Sequence, residues 1–172
     1  GLTGLSIGTS PSLLELDEFL KDGVLEVTNR VIQFRPQEVG GFMNETGLQV
    51  AQGASIDSAR ILAVVRADGV TAGNFRPCRE ITPDMQYIVT DTSSLNYASK
   101  FNPAYMVNTD GSIKVFPAPS DNSGKDSYKI YYVKNTPVDG GGSSLTYSDN
   151  TLGYFPADKV YLVVLYAGIK SL

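Results

Sequence analysis

The chain has 172 residues, 42% hydrophobic and 19% charged, with a net charge of −4, no histidine and one cysteine, Cys78. These values suit one domain, or one domain with an insertion. They exclude an intrachain disulfide framework and the histidine-based catalytic triads and metal sites.

Residues 1–12 read as an N-terminal arm: GLTGLSIGTS is small and polar, with no helical period and no signal-peptide pattern. The longest apolar pattern follows, SLLELDEFLKDGVLEVTNRVIQFR from Ser12 to Arg35. Leu13, Leu16, Leu20, Val24, Val27, Val31 and Phe34 recur in steps of three and four, which places one seam along a helix. Leu14, Leu25 and Ile32 widen it to a core-facing stripe. Ser12 and Glu15 fit a capping box, Pro11 with Ser10 as cap offers a second start, and Pro36 predicts a stop at Arg35. Gly23 interrupts the helix and has two readings, a close helix crossing or a tolerated surface glycine.

Gly40 and Gly41 break any continuation, and Leu48 to Ser58 carries no clear pattern. ARILAVVR, Ala59 to Arg66, predicts a buried strand. Asp68-Gly69 predicts a turn, with Asn74 to Ile81 pairing back on the previous strand, where Pro77, lacking a donor, makes it an edge strand or puts a bulge in it. Thr82-Pro83-Asp84 predicts a short helix to Thr90. Ala104 to Asn108 and Ser112 to Pro117, joined through Asp110-Gly111, predict a hairpin. Ser127 to Lys134 is expected to join it in a three-strand antiparallel meander.

Asp139 to Ser144, DGGGSS, reads as a flexible connector. Phe155-Pro156-Ala157-Asp158 opens a last helix. Val160 to Ile169 is apolar almost all round, so this helix is expected to be enclosed by protein. It is too short for the ~20 residues a bilayer requires, and no membrane partner is expected. It stops at Leu172 in mid-pattern, so the natural chain is expected to continue.

The expected fold class is therefore α+β: long N-terminal and C-terminal helices packed together, with an antiparallel β insertion between them. Residues 13–172 form a single domain, with the insertion at about 59–134 and the connector at 139–144. The seam from Leu13 to Phe34 is expected to pack on Val160 to Ile169, with Tyr161, Leu165 and Ile169 as helix or subunit packing positions. The cover still missing on the last helix is expected from the sheet or a neighbouring subunit, with Leu165→Ala costing about 2–5 kcal/mol as a cavity in the assembled protein.

No catalytic, cofactor or metal constellation stands out. Glycine-rich phosphate loops are absent, and Ser120 to Asp126 has too few acids for a calcium loop. Glu15, Asp17 and Glu18 read as a solvated helix face. Asp84 and Asp91 are not marked as the facing carboxyl pair of a glycosidase. The ten tyrosines are either ordinary sheet packing or a sugar-binding platform. With no clustered Lys or Arg, specific nucleic-acid binding is not expected.

Three stretches carry a family resemblance: FPADKVYLVVLYAGIKSL (Phe155 to Leu172), FLKDGVLEVTNRVIQFRP (Phe19 to Pro36) and FNPAYMVNTDGSIKVFPAP (Phe101 to Pro119). Together, over about half of the chain, they resemble virion structural proteins of tailed phages, especially marine ones. The helix, β insertion, helix order is also similar to head-to-tail connector, or adaptor, proteins that form rings beneath the portal. The resemblance implies a non-enzymatic virion component, assembled in the host cytoplasm. Its partners would be other copies of itself in a ring and portal or tail proteins. The alternative is a fibre or appendage protein whose β region binds a neighbouring protein or a host glycan.

Overall fold

The computed structural model describes residues 11–56, 59–120, 124–134 and 136–172; the N-terminal arm lies outside the described residues up to Ser10. The fold is mixed α and β, with a helix at each end of the described chain. It divides into two compact units, one from residues up to Met43 together with those after Asn135, the other Asn44–Lys134.

The outer unit begins with helix α1 (Leu13–Phe34). Ser12 Oγ accepts from the Glu15 amide at 3.3 Å, and Glu15 Oε2 accepts from the Ser12 amide at 2.7 Å. This closes the capping box, and the Ser12 backbone bond holds the Glu15 carboxyl below its ordinary range. A 3-10 helix, Pro36–Phe42, follows. Phe42 is buried, and its ring meets Phe155 edge-on at 5.1 Å. A second 3-10 turn, Ala157–Lys159, leads into helix α3 (Val160–Lys170), the middle helix being α2 (Gln86–Thr90) of the inserted unit.

The glycine-rich run is a closed turn rather than an open connector. Asp139 Oδ1 accepts from the amides of Gly141 at 2.9 Å and Ser143 at 2.8 Å, and Val138 bridges Ser144. A side chain at Gly153 would run into the Asp139 carbonyl, so this contact requires glycine.

The inserted unit holds two sheets. Strands β1 (Met43–Glu45), β7 (Tyr128–Val133), β2 (Arg60–Ala67) and β3 (Phe75–Pro77) form one in that spatial order. Strands β4 (Arg79–Glu80), β5 (Ala104–Val107) and β6 (Ile113–Phe116) form the other. Alternation sets the layers. Val64, Tyr128 and Ile130 of the first sheet share a core with Tyr105, Ile113 and Val115 of the second. The opposite face of the second sheet, Ala104, Met106 and Phe116, packs with Val89 of α2 and with Ala98.

The expected meander is corrected here. β5 and β6 form the hairpin at Asp110-Gly111, with Asp110 Oδ1 accepting from the Ser112 amide at 2.9 Å. The third strand, β7, instead pairs with β2 in the other sheet. The physical reason is burial: Tyr128 and Ile130 cover the β5–β6 face when they stand opposite it, and would extend that sheet without covering it if they stood beside it. β5 gains a parallel neighbour, β4, so the sheet is mixed. Of the two readings for Pro77, β3 takes the edge strand, and it pairs back on β2. The unpatterned stretch before β2 is structured too: the Gln52 side chain donates to Val115 O at 2.6 Å and accepts from Val115 N at 2.8 Å. It occupies the open edge of β6 as a strand would.

Candidate assembly surface on α1 and α3

Helices α1 and α3 pack together within the outer unit, and Gly23 lies at the crossing. A Cβ there would stand 3.2 Å from Val163 O, Val163 Cγ1 and Tyr166 Cδ1, so Gly23 marks a close helix approach. Val163 and Ala167 are the residues of α3 that are buried. On one side of the crossing, Leu20, Val160, Val163 and Val164 share a depression with Leu145 and Leu152. On the other, Val27 and Val31 with Leu162, Leu165, Tyr166 and Ile169 line an open groove. Its rim carries Glu26 and Arg30, paired at 2.7 Å.

The seam is thus brought together in part. Leu16, Leu20, Val24, Val27 and Val31 are half-buried, whereas Leu13 and Phe34 at its ends are exposed. On α3, Leu165 and Ile169 line the groove beside Val27 and Val31, and Tyr161 lies toward Arg35 and Glu38, but all three stay more than half exposed. Leu165 is 57% exposed and Val163 1%. Within the single chain it is therefore Val163, not Leu165, that fills the crossing. A helix apolar on every side gives no periodic signal for which face turns inward, and the crossing at Gly23 selects Val163 and Ala167. Among the described residues, Tyr161, Val164, Leu165 and Ile169 of the last helix stay more than half exposed.

One element of this region left no mark in the sequence pattern. Glu38 accepts from Lys159 Nζ at 2.8 Å and from Arg35 at 2.8 Å, tying the end of α1 to the start of α3. Lys159 first and Arg35 second hold the Glu38 carboxyl below its ordinary range. Ion pairs between distant segments have no sequence period, so only the sign of each charge was legible.

In the inserted unit the prominent polar group is Arg66, fully buried. Its guanidinium donates to the carbonyls of Pro117 at 2.8 Å, Ala67 at 2.6 Å and Ala118 at 3.3 Å, and to Asp126. Lys100 stands 3.5 Å from the same carboxylate. All these acceptors belong to the protein, and the arrangement fastens the β6–β7 connection. Burial pushes the Cys78 thiol up to about 12. Asp91 and Asp110 serve turns through Ser93 and Ser112, Glu18 pairs with Lys21, and Asp17 accepts from the Tyr147 amide. Among the described residues, no group of three His, Cys, Asp or Glu is placed to hold a metal.

The tyrosines do not share one face. Tyr105 and Tyr128 are in the core, Tyr131 and Tyr132 are half-buried, and the exposed Tyr87, Tyr147, Tyr154 and Tyr161 lie on helices and loops rather than strands. No described helix is long and apolar enough to cross a membrane. No protein-family model matches the chain, and no curated protein matches its sequence.

Proposed function

We propose that this chain is a phage virion structural protein at the head-to-tail interface, working through protein–protein assembly in a ring. The observation that carries the assembly reading is the outward apolar surface of α3. Tyr161, Leu165 and Ile169 are each more than half exposed along a helix whose buried side is already satisfied by α1. Large side chains displayed contiguously mark an interaction site rather than ordinary surface. The phage assignment rests on the resemblance of the three stretches, and the head-to-tail position on the helix, insertion, helix order that connector proteins share.

The test is made on purified phage particles. Mass spectrometry should find the chain as a particle component, and image reconstruction should place symmetric copies in a ring at the neck. Absence from particles overturns the reading. Trimeric copies in a fibre, with a coiled coil after Leu172, would favour the appendage alternative.

A further inference from the structure

We propose that the open groove between α1 and α3 is a subunit contact that receives the same face of a second copy, so that two helix pairs close into a four-helix bundle. This rests on the reading above only in taking contacts between chains as the function.

The groove has the layout of half a bundle. Leu162, Leu165, Tyr166 and Ile169 follow the i, i+3, i+4, i+7 spacing of one helix face, and Val27 and Val31 stand beside them at i, i+4 on α1. The close approach at Gly23 brings the two helices into one layer. The opposite side of that layer is furnished by Leu145 and Leu152 of the same chain, while the groove side has no cover among the described residues. A two-helix layer with one bare apolar side is completed by a second layer.

The rim favours this chain as its own partner. Glu26 and Arg30 lie one helical turn apart, acid and base. A two-fold axis that crosses the helices, rather than one that runs along them, lays α1 antiparallel on α1 of the second copy and sets Glu26 of each copy toward Arg30 of the other. A rim of a single sign would repel its own copy. Size sets the strength. Two helices abreast, each about 10 Å wide, over the roughly 16 Å length of α3 give a face of some ~300–400 Å². That is about half of the ~800 Å² per partner in a standard interface. The isolated pair is therefore weak, and it strengthens where other contacts hold copies side by side.

Sedimentation equilibrium on the full chain over a concentration series tests the contact. The wild type should pass from monomer to dimer, with a dissociation constant of roughly 10–1,000 µM. Leu165→Lys and Ile169→Lys, both at exposed positions, should raise that constant at least about tenfold with unchanged unfolding midpoints. Val164→Lys is the control: it is equally exposed but points away from the groove, about 100° around the helix from Leu165, and should change the constant less than about threefold. A chain that stays monomeric overturns the proposal, as does equal weakening by Val164→Lys. Self-association indifferent to the groove variants also overturns it and leaves the virion reading standing. Absence from particles with groove-dependent dimerisation intact does the reverse.

Discussion

At the scale of single residues, the inserted unit depends on one buried charge. Arg66 has no exposure and, among the described residues, one close carboxylate, Asp126. Asp126→Ala leaves the guanidinium buried without its counter-ion and should cost about 3–5 kcal/mol, read from urea unfolding. Burial works to raise the Asp126 pKa, but Ser120 and Arg66 outweigh it and leave the carboxyl below its ordinary value. A depressed folded pKa means that the stabilisation is complete above the unfolded value of about 3.9 and is lost as pH falls through the folded one. The acid limb of the unit's stability profile should therefore flatten in Asp126→Asn, and a limb unchanged by that substitution would refute the assignment. Cys78 illustrates a different consequence of burial. With its thiol pushed up to about 12, little thiolate forms near neutral pH. It should react with iodoacetamide slowly in the folded protein and at an ordinary rate in denaturant.

At the scale of elements, α1 and α3 are specified by unlike means. α1 is framed locally, by its capping box and by Pro36 after it. Ser12→Ala should cost about 0.5–2 kcal/mol in thermal unfolding of the outer unit. α3 is oriented by its partner. Val163→Ala should cost about 2 kcal/mol, whereas Leu165→Ala in dilute protein should cost less than about 1 kcal/mol, because its side chain already meets water. Equal losses at the two positions would mean that α3 is turned differently about its axis. Gly23→Leu should cost about 1–3 kcal/mol by overpacking the crossing, where the nearest atoms include a carbonyl oxygen that cannot rotate away.

At the scale of the molecule, the insertion is a unit with its own core. Its first strand, β1, and its last, β7, are neighbours in one sheet, and Asn44 Nδ2 donates to Tyr132 Oη at 3.3 Å. The excised segment Asn44–Lys134 thus has its ends already side by side. It should fold alone, with dispersed amide resonances and one cooperative unfolding transition. A collapsed spectrum from this fragment would show that the unit depends on the rest of the chain.

The sequence by itself determined what short-range physics controls. The extent of α1 follows from its seam and cap, the β5–β6 turn from Asp110-Gly111, the short helix after Thr82 from its proline, and the choice between edge strand and bulge for β3 from Pro77. Each depends on residues within a few positions of one another. Tertiary structure alone decided the destination of β7, the role of Gln52 as a strand substitute, the pairing of Glu38 with Lys159 and the inward side of α3. A strand with apolar residues on both faces fits either sheet, and a helix apolar all round fits α1 through any side. Only the burial available in the assembled core distinguishes those alternatives, and it left Leu165 and Ile169 facing outward.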